Sequence, residues 1–320
     1  MNKREIVQRI KKGEDLKAIV QSDNSVLGTK FRLLSHYCEP LQPKENVFAV
    51  VIIKPEHEKK LIRGMGLDEY KERINMLKQL AGDYVSALES MGYTYPSKLP
   101  IWVEPLEAVK EVGGEHSQAY VYTRGPVIGL DLPDMSMEER MLYAIFGGAT
   151  SKNVPMDKLA NNMLHELTHW FTSHKNIVLE DQVLSKKRYC EWFSEGATQF
   201  FATMIGLRLL EEGKLQMFGS ADSFMERMER SYHYEQTCVG LLCMALGKDT
   251  VIKSYVEKDF SPLEEKFCWK YSASSFDFVR LMKDGKLISD FILKKEGTEK
   301  ILDYCETDAH VSNLIQLHFL

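Results

Sequence analysis

Apolar positions along the chain change period as they go, and the changes mark out the elements. Val47 to Ile53 (VFAVVII) is a short β-branched run closed by Pro55, which predicts a buried strand. Residues 56–92 then repeat at three- and four-residue steps. Leu77, Leu80, Ala81, Tyr84, Val85 and Leu88 share one face, so this stretch predicts a long helix, ended by Gly92 and Pro96. Ile101 to Val103 and Ala119 to Asp131 predict further strands. The second is interrupted by Gly125-Pro126, which implies a hairpin or a bent edge strand, because proline cannot donate to a central ladder.

Residues 1 to about 40 are charged, with apolar residues at roughly helical spacing, and predict an N-terminal helical segment. From about residue 136 the helical period dominates. MEERMLYAIF, PMDKLANNMLHELTHWFTSH, CEWFSEGATQFFATMIGLRLLEEG and ADSFMERMERSYHYEQTCVGLLCMALG all follow it, and Ile301 to Leu320 reads as a last helix. The expected fold class is α+β: an N-terminal segment over 1–45, a mixed α/β lobe with a small sheet over 46–150, and a mainly helical lobe over 151–320. The boundary is expected between Gly147-Gly148 and Pro155.

Composition narrows the class of protein. The 320 residues are 44% apolar and 27% charged, which is ordinary for a globular chain that buries a core without staples. The net charge of −5 shows no long run of one sign, so nucleic acid and acidic membranes are not expected partners. No window approaches 18 uninterrupted apolar residues, and the start MNKREIVQRIKKGEDLKAIV lacks a signal-peptide core. The six cysteines are scattered without a CxxC pair and read as reduced core thiols of a cytoplasmic protein, although export without a cleavable signal is compatible with the same features.

The chemistry concentrates at His165-Glu166-Leu167-Thr168-His169. Met156, Leu159, Ala160, Met163, Leu164, Leu167 and Phe171 make a broad apolar stripe on the helix that carries it, and Pro155 suits the helix start. Residues four apart lie one above the other, so His165 and His169 project from the same side. Two imidazoles so placed can bind one zinc ion, at about 2.0–2.1 Å each. Glu166 leans beside such an ion, where a carboxylate can take a proton from zinc-bound water.

A catalytic zinc needs a third protein ligand and an open position. An HExxHxxGxxH continuation fails here, since Thr172 and Lys175 occupy the glycine and last histidine positions and His174 is out of register. The better candidate is Glu195 in Glu191-Trp192-Phe193-Ser194-Glu195-Gly196-Ala197, 26 positions after His169, with KNIVLEDQVLSKKRY between to turn the chain back. It opens a helix that is apolar nearly all round, where a carboxylate is costly unless paired or bound to metal. Gly196 and Ala197 are small enough to admit another helix closely. Glu191, one turn earlier, is the alternative ligand or an acceptor for a histidine N–H.

LHELTHWF followed by WFSEGATQFF resembles the gluzincin metallopeptidases, the group of thermolysin and aminopeptidase N, over residues 155–210. The resemblance implies zinc-dependent peptide hydrolysis, with His165, His169 and Glu195 as ligands, Glu166 as the base and a zinc site in the cleft between the two lobes. It also implies an oxyanion donor on a later helix. Tyr232, His233 and Tyr234 are candidates, with Tyr234 preferred because Glu235 and Gln236 follow it. An extended substrate peptide would lie along a strand before the motif, either 119–123 or 126–130.

The chain departs from the family in three places. No Gly-x-Met-Glu-Asn segment is found, which favours an endopeptidase over an aminopeptidase. The asparagine usual before the family glutamate is Ser194, and no calcium-loop pattern is found. The expected partner is a peptide or protein substrate; oligomeric state is open. The alternative reading is a non-catalytic zinc-containing peptide- or protein-binding module.

Overall fold

A computed structural model describes residues 32–34, 48–93, 98–113, 119–122, 125–131, 155–172, 178–181, 186–229, 232–297, 299–301 and 303. It is mostly helical, with a small sheet at the N-terminal side. The chain groups into two compact units: Met1–Trp170 with Arg208–Gly219, and Phe171–Leu207 with Ser220–Leu320. The divisions fall inside two helices, and the expected boundary near residue 150 lies outside the described residues.

The first unit holds five strands: β1 (Arg32–Leu34), β2 (Phe48–Ile53), β3 (Lys98–Glu104), β4 (Ala119–Tyr122) and β5 (Gly125–Gly129). Their order is β1-β2-β3-β5-β4. β2, β3 and β5 are mutually parallel, while β1 and β4 run antiparallel to their neighbours. Val51, Ile52 and Ile53 are all buried, as are Ile101, Trp102 and Val103. Consecutive buried residues mean that both sheet faces are covered, and this is why these strands read as unbroken apolar runs.

Helices α1 (Pro55–Met65) and α2 (Leu67–Ser90) connect β2 to β3. The single helix expected over 56–92 is thus two. Gly66, at φ 89, breaks it in a backbone conformation that suits glycine. The face of α2 predicted from its period is buried throughout, from Leu77 to Leu88, and the helix packs on β2. Helix α3 (Leu106–Gly113) follows β3 and packs on β5.

Gly125-Pro126 opens a hairpin strand, with Val121 opposite Pro126. Pairing of β5 with β3 begins only at Val127, so the proline sits where β5 has a single neighbour.

Helix α4 (Met156–Thr172) carries the HExxH sequence; of its stripe, Leu159, Ala160, Met163, Leu164 and Leu167 are fully buried, and Met156 and Phe171 at its ends are half-buried. Within the same unit Lys214, on the returning segment, pairs with Asp83 of α2 at 3.6 Å.

The second unit opens with an unexpected hairpin, β6 (Val178–Asp181) and β7 (Lys186–Tyr189), in a region read as helical or connecting. Its register sets Glu180 opposite Lys187 and Asp181 opposite Lys186. Then come α5 (Glu191–Glu211), α6 (Ala221–Glu229), α7 (His233–Leu246), α8 (Lys248–Glu257), α9 (Ser261–Tyr271), α10 (Ser275–Met282) and α11 (Gly285–Glu296).

The helical pattern read over Ala221 to Leu246 is two helices, and α7 starts after Tyr232, which takes a left-handed conformation at φ 50. Phe193, Phe224, Phe267 and Phe278 are fully buried. Ser274 and Asp277 form a reciprocal cap on α10, and Asp284 caps α11. These caps satisfy N–H groups that the first helical turn leaves without partners.

Some expectations fall where little is described. Of the N-terminal segment, Arg32–Leu34 is a strand rather than helix, and the rest of 1–45 lies outside the described residues. So do MEERMLYAIF, His174 and nearly all of 301–320. Cys190, Cys238 and Cys243 are buried free thiols, as expected, while Cys268 is half-buried.

Candidate metal centre

The geometry begins with Thr168, between the two histidines on α4. Its hydroxyl donates to the Leu164 carbonyl at 2.8 Å and accepts from the Tyr84 hydroxyl of α2 at 2.9 Å. Both side chains are fully buried. This link fixes the rotation of α4 about its axis and therefore the direction in which residues 165 and 169 project.

His165 is 6% exposed and Glu166 7%, while His169 is half-buried. The imidazoles of His165 and His169 stand edge to face, with centroids 4.6 Å apart and planes at 81°.

Glu195 lies in the second turn of α5 and is half-buried; Glu191, in the first turn, is exposed. One ligand atom from each of His165, His169 and Glu195 lies within 4.8 Å of the others. Among the described residues this is the group of three histidine, cysteine or carboxylate side chains able to hold a metal ion. Glu191 is not part of it, so of the two glutamates weighed as third ligand the structure brings in Glu195.

A tetrahedral ion with bonds of about 2.1 Å spaces its ligands roughly 3.4 Å apart. The three donors are within a small closure of that spacing, and two imidazoles with one carboxylate form a donor set suited to a divalent ion.

Helix α5 is held in place on two sides. Thr198, one turn beyond Glu195, donates to the Ser194 carbonyl at 2.7 Å and lies 2.6 Å from the Tyr255 hydroxyl of α8. Thr172 donates to the same Tyr255 hydroxyl at 3.1 Å. On the other side the α7 main chain runs against Gly196: a Cβ at that position would meet the Glu235 carbonyl oxygen at 2.5 Å. Glycine is therefore required next to Glu195, as the small Gly196-Ala197 pair implied. Lys258 is the residue that sequence reasoning missed. Burial pushes its ammonium down to about 7, and the Glu195 carboxylate acts against that shift. Lys258, Tyr255 and Thr198 had no motif spacing to announce them; only the fold gathers them.

Of the three expected oxyanion donors, Tyr232 and Tyr234 are exposed and His233 is half-buried. Burial raises the Tyr234 hydroxyl above its ordinary range, assisted by a hydrogen bond with Cys238 and by Asp284 and Asp290. Tyr234 thus keeps its proton at neutral pH, and its neighbour Glu235 is the residue against Gly196. Of the two expected peptide-binding segments, 119–123 falls on β4, the last strand of the sheet among the described residues, and 126–130 falls on β5, between β3 and β4.

The chain matches no protein-family model, no curated protein and no solved structure.

Proposed function

We propose that this protein is a zinc-dependent peptidase of endopeptidase type acting on peptide or protein substrates in the cytoplasm. The observation that carries this reading is the convergence of His165, His169 and Glu195 donors within 4.8 Å, with the Glu166 carboxylate buried one residue from His165. A structural zinc site is usually closed by four protein ligands, whereas three leave a position open. A bound zinc ion would polarise a substrate carbonyl and make a water molecule acidic near neutral pH.

The remaining work falls to the chain's own residues. Glu166 takes the proton from the attacking water and passes it to the leaving amine. Tyr234, which stays protonated, is the preferred donor to the oxyanion, with His233 and Tyr232 as the other candidates on the same turn. β4, the last strand of the sheet among the described residues, is the place where an extended peptide would add, a mode that reads backbone rather than particular side chains. Strand addition of this kind, without a Gly-x-Met-Glu-Asn segment for a free amino end, favours cleavage within a chain over removal of its first residue.

The test is hydrolysis of an unfolded protein and of internally quenched peptides by the zinc-loaded wild type and Glu166→Gln. Glu166→Gln should keep its metal and lose turnover by about 10²–10⁴-fold. Equal activity in the two proteins would remove Glu166 from the mechanism. Zinc binding without cleavage by either would favour a non-catalytic peptide-binding module instead.

A further inference from the structure

The two helices that carry the metal ligands are joined to one tyrosine. On α4 the residue three after His169 is Thr172, and on α5 the residue three after Glu195 is Thr198. Residues three apart are neighbours on one side of a helix. Both threonines reach the Tyr255 hydroxyl of α8, Thr172 at 3.1 Å and Thr198 at 2.6 Å. All three side chains are buried, where a hydroxyl depends on its protein partners. The rings beside them pack as well. Phe171, next to Thr172, stacks on Phe201 of α5 with planes at 15°, and Phe201 lies against Tyr255 with centroids 6.3 Å apart.

A hydroxyl has one proton to donate. Thr198 gives its proton to the Ser194 carbonyl at 2.7 Å, so Tyr255 is the donor at the 2.6 Å contact. Thr172 in turn donates to Tyr255. The chain therefore runs one way, from the last residue of α4 through Tyr255 and Thr198 to the main chain of the residue before Glu195. Bonds in such a chain polarise and strengthen one another. We propose that Tyr255 is a positioning residue for the metal centre: its hydroxyl locks the end of α4 to the part of α5 that carries Glu195, and so sets the spacing at which His169 and Glu195 meet an ion. The proposal rests on reading His165, His169 and Glu195 as a metal site. It adds that metal affinity depends on a hydroxyl outside the ligand set.

Three single variants test this. Tyr255→Phe removes the hydroxyl and keeps the ring. Thr172→Val cuts the chain at its first link. Thr203→Val is the control, since Thr203 is buried on the same helix as Glu195 and its hydroxyl donates within α5, to the Gln199 carbonyl at 2.8 Å. Each is compared with wild type by competition for zinc against a chromophoric chelator, by the visible spectrum of the cobalt(II)-loaded protein, and by urea unfolding without metal. Tyr255→Phe and Thr172→Val should each bind zinc about tenfold more weakly and shift the cobalt spectrum. The double variant should be no weaker than Tyr255→Phe alone, because a chain already cut loses nothing at a second cut. Thr203→Val should lose stability yet keep wild-type affinity and spectrum.

Wild-type zinc affinity and cobalt spectrum in Tyr255→Phe overturn the proposal and leave the metal site standing; the same result in Thr172→Val decides the matter if Tyr255→Phe does not fold. Equal weakening by Thr203→Val, or additive weakening in the double variant, marks a general loosening of the fold and overturns the proposal too. No zinc bound by the wild type overturns the metal reading and this proposal together.

Discussion

At Gly196 one hydrogen atom in place of a methyl group decides how closely α7 can approach the residue that follows Glu195. The obstacle to a side chain there is main chain, the Glu235 carbonyl, so Gly196→Ala must move a helix rather than a rotamer. It should lower stability by about 1–3 kcal/mol in urea unfolding and weaken metal binding with it. Gly82, in the middle of α2, has nothing within 4 Å of a built Cβ. Gly82→Ala should instead raise stability by roughly 0.5–1 kcal/mol through helix propensity and lost chain entropy. Equal effects at the two glycines would contradict the packing described for α5 and α7.

The residues of the candidate site were open to sequence reading in unequal measure. His165 and His169 could be paired because a four-residue step on a helix is a local fact. Glu195 could be reached because a carboxylate at the head of a nearly all-apolar helix needs a cation. Lys258 could not, because nothing local separates it from any lysine that folds back over a tyrosine at a helix end.

At the scale of elements, long periods were read well and their interruptions poorly. The apolar face of α2 and the unbroken runs in β2 and β3 emerged from burial alone, which period and β-branching report directly. The break at Gly66 did not, because it turns on the backbone angle of one residue while the apolar period continues past it. The β6–β7 hairpin was missed because four-residue strands carry too few positions to show alternation.

The ends of α9 and α11 make a prediction at this scale. Burial alone would raise the Glu296 carboxyl, but hydrogen bonds from Lys270, Lys300 and Tyr271 outweigh it and hold the group down to about 2. The unfolded chain takes up that proton near the ordinary value of 4.5. The contribution of Glu296 is therefore complete above about pH 4.5 and is lost as the pH falls through about 2. Glu296→Gln should cost roughly 2 kcal/mol at neutral pH, and its stability should fall less steeply than that of wild type on acidification. Parallel pH profiles for the two proteins would remove Glu296 from the acid response.

For the whole molecule, the sequence correctly led to a small sheet at the N-terminal side followed by helices. Helices α4 and α5 each continue across a division, and residues 208–219 return to the first unit. Boundaries of that kind are set by tertiary contacts rather than by glycine and proline in the chain. No helix among the described residues is long and apolar enough to cross a membrane.

A ligand that binds only the folded state raises stability by mass action, so an ion held by His165, His169 and Glu195 couples the proposed chemistry to the stability of the whole chain. Elemental analysis of the protein purified without chelators, alongside His165→Ala and Glu195→Ala, tests that claim most directly. The account predicts about one zinc per wild-type chain, lost or much weakened in both variants. No zinc in the wild type, or full zinc retained in Glu195→Ala, would contradict it.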